Sequence, residues 1–443
     1  MFGLPNSSGA LAPDRHKCEV DPMEERLDLK LSPCTLKVFF TMALLLSVPL
    51  FSAPPVARQE EEHLKAPPPP PSPTLWEEQH LSAAVFPQRE TLEERGIHLD
   101  LIYTGEGFFN LRGGMRTSGA RVYRGDLSLF CDLDTCQAGV WPGGTFHVHL
   151  QTEHGEGLSA QYTGDFQVLS NMEAQDFFQL SELYYLQRFL KDTLWIKLGK
   201  QDSNLDFAAP RFGSNFLNSS AGYAPTIPLA TFPDPDLGAV AGFSPHRALT
   251  LKLGCYNGRP KGGRSLRSAL QDLRGPMLLF ESSLACGGST LCAGVWWNGD
   301  KFEKLKAAST ESDTVTESYG WYAVLEREFL KPTSSSPGIG AFGQYGWAPS
   351  GRSQANHYVG GGVELRGPLP CRKNDVLGFG VFHVFFSPKA QTEKRCETAL
   401  EIFYSFEAAG WLSLKPDLQL ILNPGGTENP AALAAGVRFQ VRF

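Results

Sequence analysis

The tripeptide "HVH" at 147–149 puts two imidazoles on one face of a strand, because side chains of an extended chain alternate with a period of two. Paired imidazoles could ligate a metal. They could equally be polar positions facing water, and that reading is preferred. No cysteine pair has the two-residue spacing, with matching histidines, that a zinc site requires. Serine, histidine and aspartate are all present, yet no serine lies in a nucleophile elbow. The glycine runs "VGGG" and "NPGG" lack the following lysine or helix of a phosphate cradle. These residues support no enzyme, no metal and no cofactor.

Thiol chemistry is the remaining candidate. Of nine cysteines, Cys18 and Cys34 fall in or before an apparent leader. In an exported chain the others could oxidise. Their spacing suggests Cys131–Cys136 and Cys286–Cys292 as loop staples and Cys371–Cys396 as a hairpin bridge. Cys255, on an apolar strand face, is then left over. The alternative is that several are small buried apolar side chains.

The elements that carry these residues are strands. "TLWIKLGK" sets Leu194, Ile196 and Leu198 against Trp195, Lys197 and Gly199, and "ALTLKLGCY" sets Leu249, Leu251 and Leu253 against Thr250, Lys252 and Gly254. "ALEIFYSFE" sets Leu400, Ile402, Tyr404 and Phe406 against Glu401, Phe403, Ser405 and Glu407. The chain ends "AAGVRFQVRF", in which Val437, Phe439, Val441 and Phe443 alternate with Arg438, Gln440 and Arg442. Turn signals such as "WPGG" and "KPD" separate the runs, and no helical period is sustained. The formal charge of −7, with no basic clusters, argues against a nucleic-acid partner.

"KVFFTMALLLSVPLFSA", residues 37–53, contains Pro49 and is shorter than the roughly 20 residues of a membrane helix. It reads as a signal peptide cut near Ala53 or Ala57, so residues 1–57 form a leader with an unusually long extension before it. Met23 is an alternative start. "APPPPPSP" makes 58–80 a stiff tether, and 81–443 reads as one domain. An exported chain of alternating strands suits either a sandwich with its apolar faces buried or a membrane barrel with them turned outward. Charges in mid-strand and the aromatics Tyr184–Tyr185, Trp296–Trp297, Trp321–Tyr322 and Trp411 at strand ends favour the barrel.

Several segments, in order, resemble the carbohydrate-selective (OprB-like) porins: "LEERGIHLDLIYTGEGFFNLRGG", "ELYYLQ" at 182–187, "LGKQDSNLDF" at 198–207, and "ALEIFYSFEAAGWLSLKPDLQLILNPGG" with the terminal "VRFQVRF". The resemblance spans residues 92–443 and is less distinctive between about 260 and 360. It implies an all-β, transmembrane antiparallel β-barrel of 16 strands in the outer membrane, closed by the C-terminal strand. Sugars and other small solutes would cross it by passive diffusion. It also implies contact with outer-membrane lipid, and it makes Phe443 a signal read by the barrel assembly machinery. The alternatives are a general or ion-selective porin and a secreted β-sandwich that binds sugars. Which sugar, what pore size and whether the protein is a homotrimer stay open.

A sugar channel needs aromatic faces for the C–H surfaces of the ring and polar groups for its hydroxyls. Residues 203–246 hold six prolines that oppose regular strand pairing, yet they are rich in Phe, Asn and Asp. This segment is expected to fold into or over the lumen. Arg211, Asn215, Asn218, Asp234 and Asp236 would be its polar contacts, and Phe212, Phe216 and Phe232 its stacking faces. The alternative is an extracellular loop resting on the rim.

Overall fold

The computed structural model describes residues 80–81, 88–258, 263–303, 305, 314–315, 317–333 and 336–443. The leader and nearly all of the tether expected from the sequence lie outside them. The strands run β1 (Ile97–Arg112), β2 (Arg121–Asp134), β3 (Gly144–Gly155), β4 (Phe177–Phe189), β5 (Leu194–Gln201) and β6 (Asp236–His246). They continue as β7 (Leu249–Asn257), β8 (Pro276–Cys286), β9 (Ser289–Asn298) and a small separate ribbon of β10 (Phe302–Glu303) and β11 (Thr314–Val315). β12 (Ser318–Leu330), β13 (Gly338–Trp347), β14 (Ala355–Arg366), β15 (Val376–Phe386), β16 (Cys396–Ala409), β17 (Leu412–Leu422) and β18 (Ala432–Arg442) complete the order. Apart from the antiparallel ribbon, the strands pair antiparallel with their neighbours, and β1 pairs with both β2 and β18, which closes a 16-stranded barrel. The sandwich alternative is thereby excluded.

Closure satisfies every strand edge, which a sheet must achieve where no water reaches it. The alternation decides the two faces. Leu198, Leu253, Phe280, Val295, Phe379, Ile402 and Val437 are exposed on the outside, whereas Lys197 and Glu401 are buried on the inside. Lys252 and Arg438 also point inward, since they pair with Glu281 and Glu106. An apolar outer band of this extent is a lipid-facing surface.

Adjacent aromatic residues split between the two faces, which corrects the expectation that whole pairs form the belts. Trp297 and Trp321 face outward, while Trp296 and Tyr322 are buried within. Tyr184 stacks on the inward His147, and Tyr185 lies outside against Phe146. The outer members gather at both ends. Trp141, Phe146 and Tyr185 form one group, with Trp141 Nε1 donating to Tyr185 Oη at 2.8 Å. Tyr319 and Trp347 lie at the other end.

The two ends differ. β6–β7, β8–β9 and β16–β17 are joined by tight turns at one end, where β1 begins and β18 ends. The connections 156–176 and 202–235 belong to the opposite end. At the seam, Gly105 pairs with Phe439, whose ring fills the space a Cβ at Gly105 would need.

Candidate functional site

Connection 202–235 turns into the barrel. The cause is visible in the strands: β8, β12, β14 and β16 carry inward glutamates, and the loop supplies the donors. Glu281 accepts from the Ala208 amide at 2.9 Å and Glu326 from the Phe212 amide at 2.9 Å. Glu364 accepts from Asn215 Nδ2 at 2.8 Å, and Glu401 takes the Leu217 and Asn218 amides at 2.6 and 3.0 Å. A loop rich in proline and short helical turns leaves amides without strand partners, and each would cost free energy if left unpaired inside the wall. The glutamates satisfy them. From the opposite direction, Lys415 Nζ donates to the Asn215 carbonyl at 2.7 Å and Gln344 to the Ala221 carbonyl at 2.9 Å.

The sequence-expected residues divide by role. Phe212 and Phe216 are about 1% exposed, so neither presents an open stacking face. Phe216 wedges edge-on between Phe342, Phe382 and Phe403 at 5.7, 5.7 and 5.0 Å, against strand glycines that leave room for it. Asn218 caps the turn Ser219–Gly222, its side chain accepting from the Ser220 amide at 3.1 Å. Phe232 packs against Phe177 at 6.2 Å, and Asp234 pairs with Arg264 at 3.4 Å. Asp236 is outside the loop altogether. It opens β6, is fully buried, and accepts from Asn257 Nδ2 at 3.0 Å. Of the eight, Arg211 alone is exposed, its guanidinium 4.3 Å from the Phe212 ring centroid.

A second inward connection, 156–176, had no distinguishing signal in the sequence. Glu397 accepts the Phe166 and Gln167 amides at 2.7 and 2.8 Å, and Ser170 donates to Glu106 at 2.5 Å. The two loops interlock, the Ser219 amide donating to the Val168 carbonyl at 3.0 Å and the Asn171 amide to the Leu217 carbonyl at 2.7 Å. Burial pushes Glu173 up to about 8, and burial together with the nearby Glu182 charge pushes Asp202 up to about 6. His147 and His149 both face inward, hydrogen-bonded to Asp132 at 2.7 Å and Ser128 at 2.9 Å.

All seven described cysteines are free thiols. Cys131 is three steps of about 3.3 Å from the end of β2, and Cys136 lies beyond that end. Cys292 points inward, accepting from Ser283 at 3.1 Å, whereas Cys286 lies on the outward parity of β8. Cys371 and Cys396 sit at opposite ends of the barrel, separated by the whole of β15. The three pairings expected from spacing are therefore not formed.

A closed barrel with an apolar outer band, an aromatic belt at each end and a polar lumen narrowed by an inward loop is a porin of the outer-membrane type. The chain belongs to the carbohydrate-selective porin, OprB family, whose model matches residues 119–443. It is 22% identical to Porin B of Pseudomonas aeruginosa over 416 residues, 80% of this chain and 89% of that one. The high-pH structure of Pseudomonas putida OprB shares the fold with a TM-score of 0.75 at 18% identity, covering 83% of this chain and 99% of that one. The low-pH structure of the same protein gives 0.54 at 16% identity with the same coverage.

Proposed function

We propose that this chain is an outer-membrane porin through which sugars diffuse passively, and that they pass beside loop 202–235. The observation that carries the reading is the placement of that loop within the lumen of a barrel from a carbohydrate-selective family. A loop held inside the wall narrows the path, so that a solute must exchange hydrogen bonds with water for bonds to the lining. Sugars can make that exchange at every hydroxyl, and larger apolar solutes cannot. The barrel only binds weakly and releases; no bond is made or broken.

The rest of the reading concerns how the protein reaches its membrane. A leader before the barrel would export the chain, and Phe443 at its end would present it to the assembly machinery. Both suit a barrel whose first strand begins and last strand ends at the turn-bearing end. Liposome swelling with the purified full-length protein tests the function. Monosaccharides should enter and long oligosaccharides should not. Equal entry of all sizes would point to a wide general pore, and no entry of any would refute the reading.

A further inference from the structure

We infer that the pathway prefers sugars carrying a carboxylate over neutral sugars; this rests on the porin reading above. Along loop 202–235 the two signs of charge are arranged unequally. The acids are inside the wall: Glu281, Glu364 and Glu401 are at most 2% exposed, and loop donors bond to each. The cations stand in front of them. Arg366 keeps 36% of its side chain exposed while its partner Glu364 keeps none. Arg438 is likewise more open than Glu106 behind it. Arg211 is exposed and, among the described residues, forms no ion pair.

Arg211 and Arg366 also share one support. Their guanidinium carbons lie 4.3 and 5.4 Å from the centroid of the same ring, Phe212. Two like charges gathered on one ring repel, and the nearest carboxylates are already engaged. Glu364 serves Arg366 and Asn215, and Glu326 holds the Phe212 amide. A carboxylate on a passing solute fits this gap, since guanidinium groups bind it in a planar, two-point manner. Of the more open acids, Asp132 lies against His147 and Asp234 against Arg264, while Glu326, which holds the Phe212 amide, also attracts Arg211. Low-dielectric barrel walls focus the field of the arginines along the lumen. One unit charge about 5 Å from the path in water changes local anion occupancy roughly fourfold.

The test uses the full-length protein reconstituted in planar bilayers and liposomes. Under a KCl gradient the reversal potential should show anion preference, and liposomes should take up glucuronate several-fold faster than glucose. Arg211→Glu should remove that advantage and Arg211→Lys should keep it, read as the ratio of glucuronate to glucose entry. Cation preference, glucuronate entry no faster than glucose entry, or an unaltered ratio in Arg211→Glu would overturn the inference while leaving a sugar porin intact. Failure of both sugars to enter would remove the porin reading, and this inference with it.

Discussion

Arg89, which precedes the barrel, donates to the carbonyl oxygen of Phe443, the last residue, at 3.1 Å. The same guanidinium reaches the Leu99 carbonyl and the Asp100 carboxylate, both at 2.7 Å. One side chain in the short helix Gln88–Glu94 therefore joins the first strand to the end of the last. Beside it the Leu81 amide donates to Arg442 O at 2.8 Å and the Phe443 amide to Leu101 O at 2.9 Å. Charge-assisted hydrogen bonds of this kind contribute about 1.5–3 kcal/mol. Arg89→Ala should leave a closed barrel that converts to its unfolded gel mobility at a lower temperature. An unchanged conversion temperature would show that the ladder alone holds the seam.

Deleting Phe443 removes a packed ring worth about 1.5–3 kcal/mol, an amount a barrel of this size can lose. As the assembly signal proposed above, the residue should matter far more in the cell than in the tube. The variant should refold in detergent yet be scarce at the cell surface, as judged by membrane fractionation. Normal surface abundance would reduce Phe443 to ordinary packing.

Glu401→Ala strips the acceptors from the Leu217 and Asn218 amides, leaving two buried donors at about 1–3 kcal/mol each. The barrel should persist because its ladder is untouched. The loop should loosen, seen as faster amide exchange at 214–220 and noisier single-channel current. Exchange unchanged from the parent would mean that the Phe216 wedge alone fixes the loop.

Connection 156–176 should respond to pH. The Glu173 carboxyl is raised by burial to about 8, so the folded form binds its proton more tightly than the unfolded chain does. Its contribution is therefore fully present below the ordinary glutamate range. It declines as pH rises and is lost above about 8. Amide exchange in 156–176, corrected for intrinsic rates, should be slower at pH 5 than at pH 9. The opposite order would contradict the assignment.

The barrel was legible because a period of two is a strong signal. Lys197, Lys252, Glu401 and Arg438, charges in otherwise apolar runs, all point inward as their parity requires. The inward loop was legible from its prolines and aromatics, though its boundary was drawn too far. Asp236–His246 is a strand, with Pro245 tolerated where the pairing register with β7 shifts. The loop's fastening could not be read from the loop, because it lies in single glutamates scattered over four distant strands. Phe212 and Phe216 are buried where the sequence suggests stacking faces, because composition cannot tell a ring that lines a path from one that wedges a loop. The cysteine pairings failed for a related reason: separation in sequence says nothing about which face or end of a barrel a residue occupies.

A sugar-passing lumen narrowed by loop 202–235 is tested most directly by single-channel current in planar bilayers titrated with glucose. Discrete channels are expected whose current falls in a saturable way as glucose is added, with less block when Glu401→Ala loosens the loop. Current that ignores glucose beyond its effect on bulk conductivity, or the absence of any channel, would contradict it.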